Sequence, residues 1–112
     1  MSIEFGKIES INLGRGGYHE SMFGVSVTLS GKGWGVCDFK GEWDFDIKVG
    51  PRTQWTEKGR MNAMAEMVKW ISGLMRAAKK DKLAAMKGVP VEVTFDDNRT
   101  LKSWRILTEV LP

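Results

Sequence analysis

Phe23-Gly24-Val25-Ser26-Val27-Thr28-Leu29-Ser30-Gly31-Lys32-Gly33-Trp34-Gly35-Val36-Cys37-Asp38-Phe39 is the stretch that decides the fold class. Phe23, Val25, Val27 and Leu29 alternate with Gly24, Ser26, Thr28 and Ser30, the period of two that marks a half-buried strand. Gly31-Lys32-Gly33 then predicts a tight antiparallel hairpin. Residues 34–39 read as the returning strand, its alternation interrupted by glycines. Glycine admits positive φ angles and close approach of the backbone to another group. Trp34 places a large flat ring where most turns carry small polar side chains, which marks the turn as a candidate site.

Working outward, residues 7–13 read as an earlier strand, with Glu9, Ile11 and Leu13 on one face and Ile8 on the other. Gly14-Arg15-Gly16-Gly17 breaks it. Residues 40–55 follow no regular period. Phe45, Ile47 and Val49 suggest a short edge strand that Gly50-Pro51 ends. A loop of this length in a small domain is often functional. Thr56 suits a helix N-cap, with Glu57 in the first turn where the helix dipole favours negative charge. Met61, Met64, Ala65, Val68, Ile71, Met75 and Ala78 recur at helical spacing as one apolar stripe. Asp81 is expected to cap a short second helical turn through Met86, and Lys87-Gly88 to stop it. Val89, Val91, Val93 and Phe95 line one face of the next strand, with Pro90 near its start, where a missing N–H is tolerated. Asp96-Asp97-Asn98-Arg99-Thr100 is a turn. Trp104, Ile106 and Val110 are expected on the inward face of the last strand.

The expected fold is a single α+β domain over residues 1–112. It is an antiparallel sheet of five to six strands with one long helix packed on one face. One helix protects one side of a sheet, so the other side must be polar or paired with a second copy. A homodimer is the expected assembly.

A chain of 112 residues has room for one domain and a modest core. Five tryptophans and seven methionines are many for it, and both residue types favour interfaces. The net charge is +3, unevenly spread: residues 1–55 carry six Lys/Arg against seven Asp/Glu, and residues 56–112 carry eleven against seven. A mildly basic half permits nucleic acid or another anion as partner, at a charge density far below that of a DNA-packaging protein. Cys37 is the only cysteine, which excludes an intrachain disulfide and fits a reducing compartment. Met1-Ser2-Ile3-Glu4-Phe5 lacks the basic-then-apolar pattern of a signal peptide, and no apolar run has the length of a membrane span. The expectation is an intracellular protein with no membrane partner.

Ile8-Glu9-Ser10-Ile11-Asn12-Leu13-Gly14, then residues 23–29, then Gly31-Lys32-Gly33-Trp34-Gly35-Val36, and finally Gly88-Val89-Pro90-Val91-Glu92-Val93 occur in an order that resembles a family of small single-domain accessory proteins encoded by tailed bacteriophages. Those proteins begin with a similar Ile-Glu strand. They carry a Gly-rich turn with an aromatic residue after the second strand, and run through a helix into a Gly-x-Pro-Val-x-Val strand. The resemblance implies a phage accessory protein in the host cytoplasm that modifies host processes or counters host defence. It implies no reaction.

The residues themselves offer little chemistry of transformation. A Ser-His-Asp set needs three converging side chains, and His19 is the only histidine. Asp38, Glu42, Asp44 and Asp46 offer oxygen ligands to a hard cation, without the spacing of an EF-hand loop. A phosphate-cradling loop needs a helix after it, whereas the turn at residues 31–35 lies between strands. That turn still offers backbone N–H groups, Lys32 and the Trp34 ring, a set suited to a base plus phosphate. The structural alternative is a Trp34 that packs down on the sheet. Lys69, Arg76, Lys80 and Lys87 would form one basic stripe if the helix ran that far. Trp43, Arg52 and Trp55 cluster in the long loop, as Trp and Arg do in binding hot spots; the alternative for Trp55 is a staple that fixes the helix start.

The sequence therefore predicts a non-enzymatic binding protein without cofactor or metal. Its ligand-binding residues are Arg15, Lys32, Trp34, Trp43, Arg52 and Trp55, and its partner is a nucleotide-like ligand or a single nucleic-acid strand. The second reading is an inhibitor that binds a host protein through the same aromatic surface or a free sheet edge.

Overall fold

The first strand departs furthest from the sequence reading. In the computed structural model, which describes residues 1–111 and only the backbone at Tyr18, β1 spans Ser2–Gly16. It serves two partners. Residues 7–16 pair with β2 (Met22–Gly31), and residues 2–7 pair with β4 (Pro90–Phe95), both antiparallel. The β1–β2 register shifts between Ile8 and Ser10. Such a bulge bends the strand and sharpens its twist. β3 (Trp34–Trp43) flanks β2, and β5 (Leu101–Ile106) flanks β4, giving the order β3-β2-β1-β4-β5.

In a flat sheet the edge strands β3 and β5 would lie about 19 Å apart, four strand spacings. Instead the Trp104 indole N–H of β5 donates to Asp38 Oδ2 of β3 at 2.7 Å. Trp34 of β3 meets Phe95 of β4 edge-to-face, with ring centroids 5.4 Å apart. The sheet is therefore curled into a partly open barrel. Inside lie Ile8, Val25, Val27, Leu29, Val91, Val93, Phe95 and Ile106, together with Met64, Met67 and Ala78 of the helix. Each such side chain contributes about 1.5–3 kcal/mol when fully buried.

Helix α1 (Glu57–Ala78) begins as the sequence predicts: Thr56 is the N-cap, and its hydroxyl accepts from the Gly59 N–H at 3.0 Å. It ends at Lys79 in the left-handed conformation, φ 59°, with the Lys80 N–H returned to the Met75 carbonyl at 2.9 Å. Trp70 touches both edges of the barrel. Its ring lies edge-on to Trp104, and the Lys40 ammonium sits 5.4 Å from its centre.

The apolar stripe is wider than expected and partly shifted. Met64, Ile71, Met75 and Ala78 of the expected stripe pack with the core, joined by Met67, Trp70 and Leu74, whereas Met61 and Val68 are 55% and 58% exposed. The helix period alone cannot choose which edge of a wide apolar sector meets the sheet. Further corrections are local. Residues 45–49 form no strand, and β3 runs on to Trp43 instead. Asp81 does not cap the turn of 3-10 helix at Leu83–Met86; Lys82 stands there without a capping side-chain bond. Val110 is exposed in a 3-10 turn at Thr108–Val110. The turn after β4 forms as read, with Asp96 Oδ1 accepting from the Asn98 and Thr100 N–H groups, each at 2.9 Å.

The outer face of β1–β3 carries Ser10, Asn12, Ser26, Thr28 and Cys37 at facing register positions. No helix among the described residues is long and apolar enough to cross a membrane.

Candidate functional site

β3 carries large rings on both of its faces. Trp34, expected to stand out from the turn, points into the barrel. A Cβ at Gly31 would lie 2.5 Å from its Cε2, and one at Gly6 2.8 Å from its Cζ2. Those two glycines are therefore the seat of the ring, and Phe95 closes its edge. The turn itself is only Lys32-Gly33, with Gly33 at φ +80° and Lys32 exposed. Trp34 thus serves the core, the structural alternative already named for it.

Trp34 and Trp43 stand at opposite ends of β3. Nine residue steps along a strand separate them by about 30 Å. The structure does not bring Lys32 and Trp34 together with Trp43, Arg52 and Trp55.

The outer face gathers a different set. Phe39, which the sequence did not single out, lies over a glycine floor. A Cβ at Gly24 or at Gly41 would come within 2.8 Å of its Cζ. Gly14, Gly24 and Gly41 face one another across β1, β2 and β3. Phe39 is 39% exposed, so part of its ring meets solvent. Trp43 follows on the same face four residues later, about 13 Å along the strand. Its ring stacks on Trp55, centroids 6.5 Å apart at 25°.

Arg60 holds this end together. Its side chain is 2% exposed, yet it carries a full charge. The guanidinium lies 4.7 Å from the centre of the Trp55 ring and 5.2 Å from that of Phe45. Its Nη1 donates to the carbonyls of Asp44 at 2.6 Å and Ile47 at 2.7 Å. Its Nε donates to Glu57 at 3.1 Å, and Nη2 completes the ion pair. A buried cation is stable only when its donors are satisfied, and here the loop carbonyls satisfy them. That is why residues 44–47 are folded back on the helix start rather than extended as a strand.

Arg15 joins the group from the end of β1. Its Nε stands 2.8 Å from Asp44 Oδ2, at ion-pair distance but not aligned as a hydrogen bond. Arg52 is exposed in the turn that the Gly50 N–H closes onto the Thr53 hydroxyl at 2.8 Å. Between β1 and β2, His19 and Glu20 take left-handed backbone angles, φ 51° and 56°. Such angles are uncommon for residues other than glycine and mark a loop worth functional scrutiny.

The acidic run disperses: Asp38 serves Trp104, and Asp44 serves Arg15 and the Phe45 N–H. Among the described residues no three His, Cys, Asp or Glu side chains converge as a metal site. Glu9, at the bulge, accepts from the Ser30 hydroxyl at 2.7 Å. That bond, and then Lys7, hold its carboxyl below the ordinary range.

No family model, curated protein or solved structure matches this chain. The site therefore rests on its own geometry: exposed Phe39 and half-buried Trp43 on the outer face of β3, with Trp55 stacked behind, and Arg15 and Arg52 exposed toward the Trp43 end.

Proposed function

We propose that this protein binds single-stranded nucleic acid, without catalysing a reaction, on the outer face of β1–β3. The observation that carries the reading is the row formed by Phe39 and Trp43. Stacking on aromatic rings accepts any base, because every base has a π face. The two residues lie four positions apart on the same face of one strand, so that they form successive stacking platforms along a single nucleic-acid strand. Gly24 and Gly41 seat the Phe39 ring flat on the sheet, and Ser26 and Thr28 beside it offer hydroxyls to a strand lying across the face. Lys48 and Arg52, both exposed in the loop that leads to Trp55, supply positive charge for phosphates. The architecture adds support by analogy. A five-stranded, partly open barrel with a ligand face on strands 2 and 3 is a scaffold used for oligonucleotides. The strand order and the shared first strand agree with it. In the setting that the resemblance implies, this is the activity of a phage accessory protein acting on single strands in the host cytoplasm.

The test is fluorescence anisotropy with a labelled oligothymidine at low salt. Binding should weaken steeply as salt rises, through counterion release. Phe39→Ala and Trp43→Ala should each weaken it, by roughly 5- to 100-fold at 1–3 kcal/mol per stacked base. No binding at low salt, or full binding by Phe39→Ala, would overturn the reading.

A further inference from the structure

The helix presents a second surface that the nucleic-acid reading leaves unused. Met61 and Val68 lie on one exposed stripe of α1, separated by two helical turns. The stripe runs into an open groove of 410 Å³ lined by Val68, Ile71, Ser72, Met75, Arg76, Lys80 and Asp81. The floor is apolar, and the rim carries the cations Arg76 and Lys80 against one acid, Asp81. Two features shape that rim. Arg76 is held along the helix by a bond from its Nη2 to the Ser72 hydroxyl at 3.2 Å. The left-handed turn at Lys79 swings the chain back so that the Lys80 N–H meets the Met75 carbonyl, which brings Lys80 beside the groove instead of beyond the helix end. Lys69, one residue from Val68, is exposed outside the groove and pairs with Glu66 at 3.9 Å.

We infer that this groove is a docking site for an acidic peptide segment of a partner protein, with an apolar side chain inserted between Val68 and Met75 and carboxylates on Arg76 and Lys80. Recognition of acidic motifs by Lys and Arg clusters, and of apolar anchors at helical spacing, are both recurring modes of peptide binding. Charge decides among the occupants. A single nucleic-acid strand would satisfy the cations of the rim, but the floor offers no aromatic ring for its bases to stack on. A second copy would bring another net-positive helix face against this one, and like charges oppose such pairing.

The probe is a fluorescein-labelled ten-residue peptide in which Asp alternates with Leu and Phe, measured by anisotropy. Its controls are one peptide with Lys in place of Asp and another with Gly in place of Leu and Phe. The acidic apolar peptide should bind, and both controls should bind at least 10-fold more weakly. Val68→Asp, and separately the pair Arg76→Glu with Lys80→Glu, should each cut binding 10-fold or more. All of these side chains lie at the surface or on the groove rim, so the urea unfolding midpoint serves as the folding check. Oligothymidine binding should stay within 2-fold for both variants, which separates this surface from the sheet face. Equal binding of the Lys peptide, or undiminished binding by the Arg76/Lys80 pair, would overturn the assignment. So would a concentration-dependent dimer in sedimentation that Val68→Asp abolishes, since a second copy would then own the groove.

Discussion

Trp34 and Phe39 are five residues apart on one strand, and each lies over a pair of glycines; one ring belongs to the core and the other to the surface. Trp34 sits on Gly6 and Gly31 with Phe95 against its edge, inside the barrel. Phe39 sits on Gly24 and Gly41 on the outside, with nothing but solvent over its exposed part. The chemistry of the two seats is the same; an odd separation, five positions along the strand, puts them on opposite faces. A ring backed by glycine on the inside stabilises the fold. The same arrangement on the outside holds a flat apolar plate ready for something else to stack on. Sequence conspicuity favours the wrong one of the two, because tryptophan in a glycine-rich turn draws more attention than phenylalanine in mid-strand.

The comparison breaks most decisively at Trp34. Trp34→Ala should destabilise the protein by about 3 kcal/mol, a large-to-small change against Phe95, read as a lower urea midpoint. Oligothymidine affinity per folded molecule should be unchanged. A folded Trp34→Ala protein that loses binding would return the site to the turn.

Gly24→Ala tests the outer seat. Its Cβ would stand 2.7 Å from the Gly41 Cα, backbone that cannot swing aside. The expected cost is about 1–3 kcal/mol, the range for overpacking, accompanied by weaker oligonucleotide binding as the Phe39 plate is displaced. Unchanged stability would mean that the glycine floor is not tight.

Phe39→Ala sharpens the contrast, since it reverses the pattern of Trp34→Ala. Its stability cost should stay under about 1 kcal/mol, as for most partly exposed positions, while binding falls as described above. Should Phe39→Ala prove as destabilising as Trp34→Ala, the inside–outside distinction fails.

The smallest effect lies away from both rings. Arg105, on β5, donates to Glu109 at 2.9 and 3.0 Å and to Glu92 at 3.1 Å. The hydrogen bonds from Arg105, chiefly, hold the Glu109 carboxyl down to about 2, against 4.5 for the free group. A carboxyl lowered in the folded state stabilises fully above its unfolded value and loses that contribution as pH falls through the folded one. Stability should therefore decline slightly between pH 4.5 and 2, and Glu109→Gln should flatten that slope. Both groups are open to solvent, so the change should be slight and should shrink in salt. A larger loss than at Gly24 would mean that the last turn is integral to the barrel.

Much of the fold was legible because its signals are local. The alternation of Val25, Val27 and Leu29, and of Val91, Val93 and Phe95, names buried faces without knowing what they meet. Thr56 announces a helix start because the capping bond spans three residues. Asp96 announces a turn for the same reason. The candidate site was half legible. Arg15, Trp43, Arg52 and Trp55 come from one end of the molecule, whereas Lys32 and Trp34 belong to the other. Phe39 was hidden because its significance depends on Gly24, fifteen residues away on the neighbouring strand. Arg60 was hidden because a charged residue in a first helical turn reads as solvated, and only the returning loop supplies carbonyls to bury it.

The sequence alone determined most of the strand, helix and turn segments, the hairpin joining β2 and β3, and the impossibility of an intrachain disulfide. All of these follow from residue order over a few positions. Only the tertiary structure decided that β1 serves two partners, that the sheet curls until Trp104 reaches Asp38, and that Trp34 lies within and Phe39 without. Those are outcomes of which surfaces meet across long chain separations. The period of a strand offers two faces, and the closure of the barrel chooses which of them is inside.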